Sequence, residues 1–155
     1  MARVCRGVEN EWKEPAGSVD RRDRNFDRVD QAIAMSAIYC SNRIDVKAIV
    51  ALTESGLTAL WMSRINTSIP IFAISRHPNT LRKVALYRDV YPIQFDVGEI
   101  PYTEVTREVL NLVKEHGGVR NGDRVMITKG DLHGHSGGTN GMKIVTVGDF
   151  IEHVG

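Results

Sequence analysis

Two short segments of this chain carry residue types suited to holding an anion. The first is Thr53-Glu54-Ser55-Gly56-Leu57-Thr58, in which three hydroxyl residues flank a glycine. Gly56 lets the backbone come close to a ligand, and Thr53, Ser55 and Thr58 offer donors. The helix expected to follow adds backbone N–H groups and a positive dipole end. Two readings fit: a phosphate cradle, or a plain strand-to-helix turn in which Ser55 caps the helix. The segment matches neither GxxxxGK[ST] nor GxGxxG, Leu57 supplies no charge, and Glu54 repels a phosphate unless it points away.

The second segment is Lys129 and the loop from Gly130 to Gly141, with five glycines in twelve residues. Such a loop can wrap a ligand with backbone donors and order as it does so, which makes Lys129, Gly130, Asp131, His133, Gly134, Ser136, Gly137 and Gly138 candidate contacts. His133 and His135 form an HxH pair that invites a metal. A metal site needs a third protein ligand and support behind it, and no HExxH or cysteine cluster supplies them. Asp131, His133 and Ser136 invite a hydrolase triad, but Ser136 sits in no GxSxG elbow. His77, His116 and His153 stand singly near element ends and read as solvated surface positions.

Something must position these segments, and the hydrophobic pattern supplies it. Phe26, Val29, Ile33, Ala37, Cys40 and Ile44 recur at steps of 3 and 4, the stripe of an amphipathic helix with Asn25 as its N-cap. Cys40 on that stripe reads as a small apolar core residue. Residues 47–53 are a nearly continuous apolar run, a strand covered on both faces. Residues 56–65 read as a helix with Leu57, Leu60, Trp61 and Ile65 inward, and 69–75 as a second buried strand with Pro70 near its start. A helix over 79–87 opened by Pro78, a strand over 91–95 and a helix over 103–116 follow. Trp61 and Tyr87 lie on helical stripes as packing residues. Strands over 124–128 and 142–147 close the pattern. Only a loop separates these last two, and a parallel crossover needs a helix, so the fifth strand is expected antiparallel to the fourth. The fold class is α/β: a doubly wound, three-layer α/β/α sandwich on a mostly parallel five-stranded sheet with the last strand antiparallel.

The chain is 155 residues long, with 20 Lys+Arg against 19 Asp+Glu, so its net charge of +1 gives no footprint for nucleic acid or an anionic membrane. Cys5 and Cys40 are too few for a disulfide scaffold, which favours a reducing, cytoplasmic setting. No apolar run reaches the roughly 20 residues that span a bilayer, and no secretory signal is legible. The charges crowd into residues 1–25, where both signs alternate around Pro15-Ala16-Gly17, a linker or arm rather than a core element.

Six pieces in register resemble one family: MARVC from Met1, FDRVDQAIAM from Phe26, LTESGLTA from Leu52, AISRH from Ala73, ALYR from Ala85 and SGGTNGMK from Ser136. They are similar to pyruvate kinase, in its C-terminal regulatory domain preceded by the last residues of the catalytic barrel. The resemblance implies residues 1–25 as barrel end and linker, 26–148 as the regulatory domain and 149–155 as a tail. It implies a parent enzyme that transfers a phosphoryl group from phosphoenolpyruvate to ADP with Mg²⁺ and K⁺, its catalytic residues upstream of Met1. No catalytic residue, metal or cofactor then falls in this chain, which alone should not turn over substrate. The turn Thr53–Thr58 would hold the phosphate of a sugar phosphate or nucleotide, and the loop from Lys129 to Gly138 would close over the rest. The final strand, at residues 143–147, would meet another subunit of a homotetramer. Relatives that answer to fructose 1,6-bisphosphate tend to carry other residues where this chain has Glu54, Leu57, Asp131 and Leu132. The pattern resembles instead the bacterial class answering to AMP or to sugar monophosphates. A different reading of the same residues is a stand-alone phospho-ligand-binding protein, and an in-frame barrel upstream would exclude it.

Overall fold

The computed structural model of the protein describes residues 25–131 and 137–149. In chain order these form α1 (Val29–Ser41), β1 (Val46–Leu52), α2 (Leu57–Ser63), β2 (Ile71–Ser75), α3 (Pro78–Val84), β3 (Val90–Gln94), a 3₁₀ turn (Val97–Glu99), α4 (Tyr102–Glu115), β4 (Arg124–Lys129) and β5 (Gly141–Thr146). The five strands make one sheet in the order β3-β2-β1-β4-β5. Neighbours are parallel except β4 and β5, whose antiparallel register pairs Met126 with Ile144. Chain order reverses beside β1, which is where an open sheet of this kind leaves a crevice.

The central strands are apolar on both faces because both faces are covered. Ala48, Val50, Leu52, Phe72, Ile74, Val125 and Ile127 turn to one side and pack with Val105, Val109 and Val113 of α4. Ile49, Ala51, Ile71, Ala73 and Met126 turn to the other side, against Ala34, Ala37 and Ile38 of α1, Ala59 and Met62 of α2, and Val84 of α3. The layers are therefore α/β/α. Pro92 lies in β3 opposite Ala73, and β3 is an edge strand, where the missing N–H costs nothing.

Two helices turn a different face inward than their large apolar residues suggest. In α1 the buried line is Asp30, Ala34, Ala37, Ile38 and Ser41, while Val29 is 64% exposed, Phe26 37% exposed and Cys40 only half-buried. In α2 the buried residues are Thr58, Ala59 and Met62, and Leu57, Leu60 and Trp61 are half-buried. Alanines let a helix axis approach the sheet closely, and that close packing outweighs a wider stripe of bulky side chains. Asn25 does not cap α1 either. The helix begins at Val29, with Arg28 extended before it and no side-chain cap, and Asp30 accepts from the Gln31 N–H at 3.0 Å.

Candidate functional site

Strands β1, β2 and β4 end on one side of the sheet, and a cleft opens beyond them between the β1–α2 turn, the segment after β3 and the glycine-rich loop. Its floor is apolar, made by Leu52, Ile74, Phe95 and Val97. Its walls are polar.

The β1–α2 turn supplies Thr53, Glu54 and Thr58 to the lining; Ser55, Gly56 and Leu57 are not part of it. Thr53 Oγ1 accepts from the Gly56 N–H at 2.9 Å, so the turn is closed by Thr53, and Ser55 is not its capping side chain. Gly56 stands at φ +81° just before α2, in the left-handed region, with Val84 packed below it. Thr58 is 2% exposed and shares a hydrogen bond of 2.8 Å with the Thr139 hydroxyl, which ties α2 to the far end of the glycine-rich loop. Thr58→Val leaves the buried Thr139 hydroxyl without its partner and should cost about 1–2 kcal/mol in urea unfolding. Replacing both residues with Val should recover most of that cost, because both polar groups then disappear together.

Glu54 lines the cleft, and its carboxylate is engaged by neighbouring side chains. Its Oε2 lies 2.5 Å from His77 Nε2 and accepts from Arg76 Nε at 3.3 Å, and its carbonyl accepts from Thr80 Oγ1 at 2.6 Å. His77 is therefore exposed but engaged, as is His116, whose Nδ1 lies 2.8 Å from the Leu112 carbonyl oxygen. Arg76 extends on to Asp96, with Nη1 4.0 Å from Asp96 Oδ2. Asp96 Oδ1 accepts from the Gly98 N–H at 2.9 Å, which fixes the carboxylate at the head of the 3₁₀ turn.

From the other side Lys129 enters the lining at the end of β4, its Nζ 3.8 Å from the centre of the Tyr102 ring. The loop that follows has a tight neck. A side chain at Gly130 would overlap the Gly138 carbonyl oxygen, and Asn140 N donates to the Lys129 carbonyl at 3.2 Å. Asp131 and Asn140 bind each other twice, N–H to Oδ1 at 3.2 Å and Nδ2 to Oδ2 at 3.0 Å. Asp131 is thus committed to the neck and lies outside the lining, whereas Gly130, Gly137 and Gly138 belong to it. Gly137 also rests against the Arg28 guanidinium, which makes two 2.9 Å bonds to Asp30. That hydrogen bond first, and the Asp30 charge second, hold the Arg28 pKa above its ordinary value. Leu132, His133, Gly134, His135 and Ser136 lie outside the described residues, and with them the HxH pair and two of the three residues that invited a triad. Among the described residues no group of three or more His, Cys, Asp or Glu is placed to hold a metal ion.

Ser75, Arg76, Asp96 and Thr139 are the polar lining residues that pattern reading passed over. A signal for Arg76 was present, since it directly follows the last residue of a parallel strand, where ligand contacts collect. With Arg76 and Lys129 against Glu54 and Asp96, the described lining carries two cations and two carboxylates, more fixed positive charge than the first segment alone implied.

Comparison with known proteins points to one family. Residues 31–145 match the family described as "Pyruvate kinase, alpha/beta domain". The chain is 46% identical over 150 residues to pyruvate kinase II of Salmonella typhimurium, covering 95% of this chain and 30% of that protein. It is 42% identical over 150 residues to a pyruvate kinase of Buchnera aphidicola subsp. Schizaphis graminum, with the same coverage. A Haemophilus influenzae pyruvate kinase is 42% identical over 134 residues, or 84% of this chain and 27% of that protein. The chain thus spans less than a third of the length of these relatives.

Proposed function

Because this chain belongs to the pyruvate kinase family, as its alpha/beta domain, we propose that it is a regulatory module whose cleft beyond β1, β2 and β4 binds a phosphorylated effector. The observation that carries this reading is the convergence in one cleft of the Thr53 and Thr58 hydroxyls, the Arg76 and Lys129 cations, and the close-approach backbone of Gly130, Gly137 and Gly138. Helix α2 has only seven residues, so these side chains and glycines, rather than a helix dipole, are the expected phosphate holders. Ser55, Gly56 and Leu57 act by shaping the turn. The loop from Lys129 to Gly138, with His133, Gly134 and Ser136, closes over the bound molecule.

Charge selects the class of effector. Arg76 and Lys129 are offset within the lining by Glu54 and Asp96. A phosphate monoester brings up to about −2 and is accommodated, whereas a bisphosphate brings twice that into a site with no spare cation in the described lining. The effector is accordingly a sugar monophosphate or AMP.

In the longer enzyme this module would act on the transfer of a phosphoryl group from phosphoenolpyruvate to ADP, with Mg²⁺ and K⁺ held by the part of the relatives that this chain does not cover. Effector binding can bias that activity only as far as it prefers one arrangement of the assembly over another. Strand β5 supports a subunit contact, because it is an edge strand that leaves Met142 and Ile144 exposed.

Thermal shift of the 155-residue chain against inorganic phosphate, ribose 5-phosphate, glucose 6-phosphate, AMP and fructose 1,6-bisphosphate tests the reading. A ligand at a hundred times its Kd stabilises by about 2.7 kcal/mol, an upward shift of several degrees. The monophosphates should raise the midpoint more than the bisphosphate. No shift with any of them at millimolar concentration contradicts the proposal.

A further inference from the structure

We infer that the Arg28–Asp30 ion pair, outside the described lining, positions the glycine-rich wall of the cleft and so sets ligand affinity from behind it. The positioning rests on geometry alone, and its effect on affinity rests on the proposed ligand site. Asp30 is 1% exposed, and a carboxylate that deep in the fold needs its oxygens answered. Arg28 answers both, Nε to Oδ1 and Nη2 to Oδ2 at 2.9 Å each, and Oδ1 also accepts from the Gln31 N–H at 3.0 Å. Two parallel bonds to a buried group fix the plane of the guanidinium, which a point charge would not do.

Gly137 is seated against that guanidinium. It stands at φ +73°, and a Cβ there would overlap Arg28 Nη2 and come 3.5 Å from Asp30 Oδ2. An arginine tip ordinarily swings aside for a methyl group, but this one is pinned by its two bonds to Asp30. Gly137 and Gly138 line the cleft, and Thr139 beside them is tied to the Thr58 hydroxyl. The wall from Gly137 to Thr139 is therefore held twice, by the start of α1 at one end and the start of α2 at the other. Arg28 itself is extended backbone just ahead of α1 and is not part of the described lining. Its influence passes through Gly137 rather than through a contact with the ligand.

A double-mutant cycle tests the pair. Changing Arg28→Ala and Asp30→Ala together removes it without leaving a buried charge alone, and Gly137→Ala adds the methyl group that meets it. In calorimetric titration with ribose 5-phosphate, removing the pair or adding the methyl group should each weaken binding about fivefold. With the pair removed, Gly137→Ala should cost less than about twofold, because the pinned tip is gone. A purely structural role would lower the urea midpoint and leave affinity unchanged. Arg28→Lys, which keeps the charge but not the fork, should weaken binding in the same sense and move the amide signals of Gly137, Gly138 and Thr139, a readout that needs no ligand. Unchanged affinity in the folded pairless chain, an equal cost of Gly137→Ala with and without the pair, or unmoved amides in Arg28→Lys overturns the inference while the ligand site stands. A wild type that binds neither ribose 5-phosphate nor inorganic phosphate overturns the ligand site, and the Arg28→Lys amide signals then decide the positioning.

Discussion

Gly56→Ala should lower the unfolding free energy by about 2–4 kcal/mol. Two penalties combine. The residue stands at φ +81°, where an L side chain is strained, and the new Cβ would come within 2.7 Å of Val84 Cγ1. Val84 is fully buried and β-branched in the core shared by α1, α2 and α3, so it has little freedom to turn aside. The turn must then shift as a whole, carrying the Thr53–Gly56 hydrogen bond with it. Urea unfolding of wild type and variant measures the loss directly. A change below about 1 kcal/mol would show that the turn has room the geometry denies.

Gly130→Ala should have the largest effect on ligand affinity, at least tenfold and on the order of a hundredfold if the neck opens fully. The added Cβ would overlap the Gly138 carbonyl oxygen and lie 2.9 Å from the Gly138 carbonyl carbon, so backbone must move. Moving it strains the Asn140–Lys129 bond and the Asp131–Asn140 pair that hold the two sides of the loop together. Gly130 and Gly138 both line the cleft, which is why a change at the neck is felt by the ligand. Titration with ribose 5-phosphate checks this. Unaltered affinity in a folded Gly130→Ala chain would mean the neck does not shape the site.

The order and sense of the elements were legible because each strand is a short apolar run and each connection has a length that only one crossover fits. The antiparallel β5 follows from the helix-free connection before it. Helix faces were less legible, and α4 shows why by contrast. Its Val105, Val109 and Val113 are buried, and charged residues such as Arg107 and Lys114 mark the outer face. In α1 and α2 nothing as sharp opposes the core face, and the sheet selects alanines over larger residues. At the site, Thr53, Thr58, Lys129 and the glycines were readable from their place beyond β1 and β4. Arg76 stands in the same kind of place beyond β2, but its approach to Asp96 was not readable, since it depends on β3 and β2 lying beside β1 in that order, which no local pattern encodes. The same holds for Thr58 and Thr139, whose hydrogen bond joins residues 81 positions apart.

The central claim is that a phosphorylated ligand sits in the cleft beyond β1, β2 and β4. Backbone amide shifts of the 155-residue chain, followed by NMR as ribose 5-phosphate is added, test it most directly. The account predicts saturable changes at Thr53, Thr58, Arg76, Asp96, Lys129, Gly130 and Thr139, with the exposed side of α1 and the edge strand β5 beyond Met142 unmoved. Changes confined to α1 or β5, or none at millimolar ligand, would contradict it.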